Sequence, residues 1–475
     1  MGDCGTSASR WMFGAQLPLI LDPLKKNILF PSVALMAMFS SLLLPNAEAV
    51  PAFSRQTGMT CAQCHTDMPI LTETGRRFKL EGYTSAEGST ELPPLSVMLQ
   101  GGFTHTKSGV PGGAAEHFAP NDNVALGQAS LFYTGPLFGP YASSIFGPST
   151  AGFLNKIGVF AQMTYDGVGR SLSWDNVEFR YADKGKAFGK DVTWGIYLNN
   201  NPTLQDPWQT LPAWGFPTSG SPLAATPGAA TMIDGGFSQQ VWGIGTYALF
   251  NKCIYVDVGG YRTLPTGFQR AMGVDPTDEA QISGLAPYWR LAYTTKAGSG
   301  NWEIGTFGMA ASTYPGRDHS AGKDRTVDFG FDTQYQTSLG SNNLLGMLTW
   351  THEHSSLNAS KALAAAENGS DNLWKLAATV DVLHDKTYGG ALQYFVTDGT
   401  RDNLLHGGSA NGSPYSDGIV AELNWLPFHK KGGPSFLPNS ELKLSVQYTI
   451  YNHFDGTSHN ASANNTLYLG AWFNF

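Results

Sequence analysis

The stretch Cys61-Ala62-Gln63-Cys64-His65 sets two thiols and an imidazole within five residues. In an exported chain, C-x-x-C-H reads as a c-type haem attachment site. Each thiol forms a thioether to one vinyl group. His65, directly after the second thioether, lies beneath the porphyrin plane and binds the iron axially. A zinc site would need two further ligands at finger-like spacing, and the sequence offers none. A simple disulfide would have no use for His65. The expected cofactor is one c-type haem, held covalently by Cys61 and Cys64 with His65 on the iron.

The iron either takes a sixth ligand or leaves an open site. Nearby donors are Met59, Met68, Met98, His105 and His117. Met59 and Met68 are so close to the anchor in sequence that reaching the opposite haem face is difficult. Met98 is preferred for a reason of strand parity given below. Methionine opposite histidine raises the haem potential, which suits a reluctant donor such as ferrous iron. Arg55, Arg76, Arg77 and Lys79 flank the motif. Arginine pairs bidentately with carboxylates, so Arg76 and Arg77 are candidates for a haem propionate, or form a basic face toward solvent or lumenal acids. His352, Glu353 and His354 are either a metal site at a strand end or plain polar surface. Cys253 reads as a small barrel residue, and Cys4 falls in a segment that is removed. No Walker loop, nucleophile elbow or HExxH occurs, so nothing points to hydrolysis.

The elements that must position these residues follow from composition. The chain has 475 residues, 29 Lys plus Arg against 37 Asp plus Glu, and a net charge of −8. That acidic balance, with no basic stripe, argues against a nucleic-acid partner. Charged residues are 14%, aromatics 12% and glycines number 56, whereas a soluble domain carries about 25% charged residues. Disordered chains and coiled coils are excluded by the same figures. The long apolar run is Ile28 to Leu44, preceded by Lys25 and Lys26 and followed by Ala47-Glu48-Ala49. This is a secretory signal pattern with cleavage after Ala49. A membrane-anchor helix is the competing reading, weakened by Pro31, Ser40, Ser41 and Pro45. Met1 to Leu24 is an unusual extension ahead of the signal, compatible with a misplaced start codon. Residues 1–49 are thus expected to be removed.

High glycine, many aromatics and few charges suit a transmembrane β-barrel. Ile157, Val159, Ala161, Met163 and Tyr165 alternate with polar residues, as do Leu442, Leu444, Val446, Tyr448 and Ile450. Alternation runs through Leu467, Leu469, Ala471 and Phe473 to the terminal Phe475, resembling the C-terminal strand signal of bacterial outer-membrane proteins. Sixteen strands are expected, starting near residues 95, 123, 155, 173, 190, 238, 252, 284, 300, 325, 342, 371, 387, 417, 440 and 465. From the fifth connection onward, long and short connections alternate. Short turns belong on the periplasmic side, so strand one starts there. Its parity puts Val97, Leu99, Gly101 and Phe103 toward lipid, and Met98, Gln100, Gly102 and Thr104 toward the lumen. The fold class is therefore all-β, a 16-stranded antiparallel transmembrane barrel over 95–475. Residues 50–94 are a small haem segment that plugs the lumen. Loop 200–237, with Trp208, Trp214 and Phe216, either folds inward or lies across the mouth.

Residues 51–60, the haem motif, Pro69, Leu71-Thr72, Gly75-Arg76-Arg77-Phe78-Lys79-Leu80 and Gly82-Tyr83-Thr84 resemble the outer-membrane monohaem cytochrome–porin fusion family of Fe(II)-oxidising bacteria. The resemblance is looser through the barrel, including residues 201–208 and 212–217. It implies outer-membrane electron transfer by an Fe(II) oxidase of the iron–cytochrome c reductase type. Extracellular Fe(II) is the implied donor, and a periplasmic cytochrome or copper protein the implied acceptor. Outward transfer to an extracellular acceptor, and a solute porin with a structural haem plug, stay open beside it. Protein isolated from the membrane is expected to begin at Val50, which N-terminal sequencing reads directly.

Overall fold

The computed structural model describes residues 51–84, 95–211, 218–277 and 279–475. The signal segment, Cys4, the cleavage site, residues 85–94, Trp214 and Phe216 lie outside the described residues. Three short helices come first: α1 (Pro51–Thr57), α2 (Cys61–Cys64) and α3 (Glu73–Leu80). Sixteen strands then form one closed antiparallel wall. In chain order these are β1 (Leu95–Thr106), β2 (Asn123–Pro136), β3 (Ile157–Asp166), β4 (Ser171–Ala187), β5 (Lys190–Asn199), β6 (Val241–Phe250), β7 (Ile254–Thr263) and β8 (Ala286–Ala297). They continue with β9 (Gly300–Tyr314), β10 (Asp324–Leu339), β11 (Asn342–Ser356), β12 (Ser370–His384), β13 (Tyr388–Gly399), β14 (Ser416–Trp425), β15 (Glu441–His453) and β16 (Thr466–Asn474). A two-residue piece, Gln281–Ile282, pairs with the end of β9.

Each strand pairs with its sequence neighbour, and β16 returns to β1. The terminal Phe475 completes the seam, exchanging backbone hydrogen bonds of 2.8 and 3.0 Å with Val97. Closure removes the exposed sheet edge that would otherwise template aggregation. The expected strand starts fall within three residues of those observed.

Alternation sorts side chains to two faces. On β1, Ser96, Met98, Thr104 and Thr106 are buried, while Leu95 and His105 are exposed. Large apolar side chains stay exposed on the other parity around the wall, among them Leu131, Ile196, Ile244, Leu291, Ile304, Phe331, Val380, Leu423 and Val446. An apolar outer band over a polar interior is the pattern of an outer-membrane barrel. No helix among the described residues is long and apolar enough to cross a membrane. Val159, Ala161 and Val177 depart from the pattern, because Leu264 and Met272, from beyond β7, pack on them.

Connections at one end are minimal, as at residues 188–189, 298–299 and 340–341; those at the other end are mostly long. Two connections at the short-turn end are exceptions. Residues 137–156 carry two helices, Ala142–Phe146 and Pro148–Leu154, which accounts for a length no tight turn needs. Residues 426–440 form a loop that the Cys61–His65 stretch contacts.

The helical segment is tied to the buried parity of many strands. Gln56 donates to Thr134 O at 2.8 Å, and Tyr83 to Glu178 at 3.0 Å. Arg76 reaches Gln334 and Gln336 at 3.2 and 3.0 Å, and Asn424 reaches Asp67 at 2.6 Å. Loop 200–211 is buried throughout. Its Asp206 pairs with Arg290 at 3.2 Å, and Arg290 also meets Asp332 at 2.8 Å and Glu303 at 3.4 Å. Farther on, Ser219 N donates to Glu422 and Met232 N to Glu353. Of the two courses open to loop 200–237, its described residues take the inward one.

Gly158 on β3 marks the tightest approach. A Cβ there would stand 1.6 Å from the Gly82 carbonyl oxygen. Gly158→Val is expected to loosen residues 51–84 at a cost of about 1–3 kcal/mol, leaving the barrel closed. Trypsin should then cut after Arg76 or Arg77 in protein that still shows heat-modifiable gel mobility. Unchanged resistance to cleavage would contradict the contact.

Candidate functional site

The C-x-x-C-H stretch, Cys61–His65, begins at a helix start. Thr60 N donates to Gln63 Oε1 at 2.8 Å, a capping-box contact. One helical turn separates Cys61 from Cys64, so both thiols share a face. The turn closes with His65 N on Cys61 O at 2.9 Å. Helix α3 locks onto it: Thr72 N donates to Cys64 O at 2.9 Å, and Thr72 Oγ1 to Gln63 O at 2.8 Å. Gly75 permits this, since a Cβ there would lie 2.3 Å from Cys64 O. Loop 426–440 supports the other side, with His429 O accepting from Ala62 N at 3.2 Å.

His65 Nδ1 lies 2.9 Å from Pro69 O. A carbonyl can only accept, so Nδ1 carries the proton and Nε2 keeps its lone pair. Burial, with His429 close by, pushes the imidazole pKa down to about 4, so the ring is neutral at physiological pH. Burial and the neighbouring Glu441 carboxylate raise the Cys61 thiol well above its ordinary value. Burial likewise raises Cys64, with Arg77 opposing. The two thiols are not joined to each other.

Both thiols and His65 open on a cavity of about 390 Å³. Phe53, Phe78, Phe132 and Phe160 supply apolar lining, and Met59, Met68 and Met98 all reach it. Met98 comes from the barrel wall, is 5% exposed and accepts a hydrogen bond at its sulfur from Gln100 Nε2 at 3.3 Å. Met59 sulfur sits 4.0 Å from Cys64 Sγ, and Met68 packs on Leu383 and Leu426.

The other candidates lie elsewhere. His105 pairs with Asp122 at 2.6 Å and His117 with Glu116 at 3.1 Å; neither lines the cavity. Arg76 is buried against Leu71 O and the two glutamines of β10. Arg77 is largely exposed beside Glu81. Neither arginine lines the cavity, whereas Lys79 does, its ammonium held by Leu204 O and Asp206 O at 2.7 and 2.9 Å. Burial pushes Lys79 down to about 7. His352 packs on Phe329, while Glu353 on the opposite strand face accepts from Met232 N. Strand alternation thus separates Glu353 from the two histidines, against the metal-site alternative, and no group of three or more His, Cys, Asp or Glu among the described residues could hold a metal ion. Cys253 sits in the turn between β6 and β7.

Two features escaped the sequence reading. His429 is fully buried with Nδ1 2.7 Å from Glu441, its backbone carbonyl on Ala62 N. Lys443 lies between Asp67 and Glu422 at 3.3 and 3.0 Å, bolting the segment to the wall. Only strand parity, which points Lys443 inward, signalled it in advance.

No protein-family model matches the chain, and no curated protein matches it. Among solved structures it is similar to Salmonella typhi OmpF in complex with daunomycin, at 12% identity over 80% of this chain and 97% of that one, TM-score 0.44. It is also similar to Pseudomonas putida OprB, at 10% identity over 86% and 99%, TM-score 0.43. The outer-membrane channel DcaP of Acinetobacter baumannii matches at 12% identity over 80% and 96%, TM-score 0.42.

Removing the Lys443 charge leaves two buried carboxylates without their cation. Lys443→Met is expected to cost about 3–5 kcal/mol, read as a lower urea midpoint for protease protection of residues 51–84. An unchanged midpoint would show that the bolt contributes nothing.

Proposed function

We propose that residues 51–84 plug the lumen of a porin-like outer-membrane barrel and carry one covalent haem. The chain then passes single electrons from extracellular Fe(II) to a periplasmic cytochrome or copper protein. The observation that carries this reading is the His65 ring, held by Pro69 O at 2.9 Å with Nε2 left basic, in the cavity that both thiols line. When bound, a c-type haem supplies a one-electron Fe(III)/Fe(II) couple. Cys61 and Cys64 would anchor its vinyl groups, and His65 would hold the iron. The phenylalanines exclude water, and low polarity tunes a haem potential. Met98 offers a soft sulfur from the wall, which as a second ligand would favour a higher potential. Short turns face the periplasm in such barrels. That puts the thiol end of the cavity on the side of the acceptor. Ferric product then stays on the extracellular side, and only the electron reaches the periplasm.

The strand number favours a second reading. Barrels of this size enclose an aqueous channel, and the helical segment would then be a structural plug in a solute porin. Planar-bilayer conductance separates the two: an open, solute-sized conductance supports the porin, and a closed barrel supports the electron-transfer reading.

Full-length protein is expected to give a covalent haem band in pyridine haemochrome spectra, lost in the Cys61→Ser, Cys64→Ser double variant. Anaerobic mixing of the oxidised form with Fe(II) should reduce it rapidly, with a positive midpoint potential. Met98→Leu should lower that potential. Reduction by dithionite but not by Fe(II) would defeat the iron-oxidase reading and turn attention to outward transfer or to the porin.

A further inference from the structure

The cavity is more than an apolar berth. Cys61 meets it near His429 and Glu441, at the short-turn end of the barrel. Asp175 lines the same cavity yet lies a few residues from the β3–β4 connection, at the opposite end. Around Asp175 the lining changes to amides: Gln128, Gln162, Asn176 and Asn201. The porphyrin ring has no need of such a lining, and the Asp175 carboxylate among these amides would repel a propionate. A polar recess of this kind holds water or a hydrated ion.

A β-bulge builds this lining. Ala161 pairs with Val177 and Met163 with Trp174, so Asp175 and Asn176 together oppose Gln162 alone. In a regular strand, neighbouring side chains face opposite ways, and one of the two would point to lipid. Here both line the cavity. Bulges re-aim side chains in this way next to functional sites.

Asp175 accepts from Gln239 Nε2 at 2.9 Å and from Thr164 Oγ1 at 3.3 Å. A carboxylate has about four acceptor positions, so two remain. Among the described residues it has no ion-pair partner, although the other charged side chains of the cavity are engaged: Glu441 with His429, and Lys79 with two carbonyls. Carboxylate, amide carbonyls and water are the ligands that hard divalent cations take.

We propose that the Asp175 recess binds one hydrated divalent cation inside the barrel, on the extracellular side of the thiols. It rests on the electron-transfer reading for its purpose, since it would bring Fe(II) close to the haem edge instead of leaving it at the mouth. Its existence does not depend on that reading.

The test uses redox-inert Mn(II) with the full-length folded protein, counting free Mn(II) by electron paramagnetic resonance. One saturable Mn(II) per chain is expected. Asp175→Asn, close to isosteric, should weaken it at least tenfold, and Gln128→Lys, which puts a cation in the recess, should abolish it. Haem content, read separately by absorbance, reports on the parent reading: a chain lacking haem but binding Mn(II) through Asp175 keeps the site and loses its proposed purpose. No saturable Mn(II), or equal affinity in Asp175→Asn, overturns the proposal.

Discussion

Arg180, Arg290 and Lys443, the buried cations of the inner wall, each take a partner from a segment that is not wall. Arg290 is fully buried among Asp206, Glu303 and Asp332, and Asp206 comes from the loop after β5. Arg180 meets Glu178 at 2.7 Å, and Tyr83 of the helical segment completes that pair. Lys443 needs Asp67 as well as Glu422. An unpaired buried charge costs several kcal/mol. The wall, the helical segment and the loop therefore hold one another in place, and the cavity is the space they leave.

That arrangement explains how a helical stretch of little more than thirty residues keeps a defined shape. Segments of this size do not build an adequate core alone. Here α2 and α3 are joined through Cys64 O and Gly75, and the barrel wall supplies most of the remaining burial. The imidazole orientation of His65 is set locally by Pro69. The wall methionine facing the same cavity, Met98, is set by strand parity some thirty residues away.

Glycines and one bulge adjust the wall to its contents. Gly158 lets the Gly82 carbonyl reach β3, and the bulge at Asp175 and Asn176 gives the cavity two polar side chains where alternation allows one. Both occur on neighbouring strands β3 and β4. Shape complementarity is thus written into wall residues and not only into the helical segment.

The sequence by itself determined what depends on local order. Alternation marked sixteen strands and their inward parity, including Met98, because the strand period is two and one face must be apolar in lipid. Adjacency within Cys61–His65 placed both thiols and the imidazole on one turn. The tertiary structure decided what depends on contacts between distant segments. It brought Lys79, and not Arg76 or Arg77, to the cavity, because Gln334 and Gln336 capture Arg76 while Arg77 faces outward. It drew loop 200–211 inward, because Arg290 required Asp206. It set His352 and Glu353 on opposite faces, as the period of a continuous β11 demands. The bulge was invisible beforehand, since an extra residue in β4 is defined only by the partner strand it fails to match.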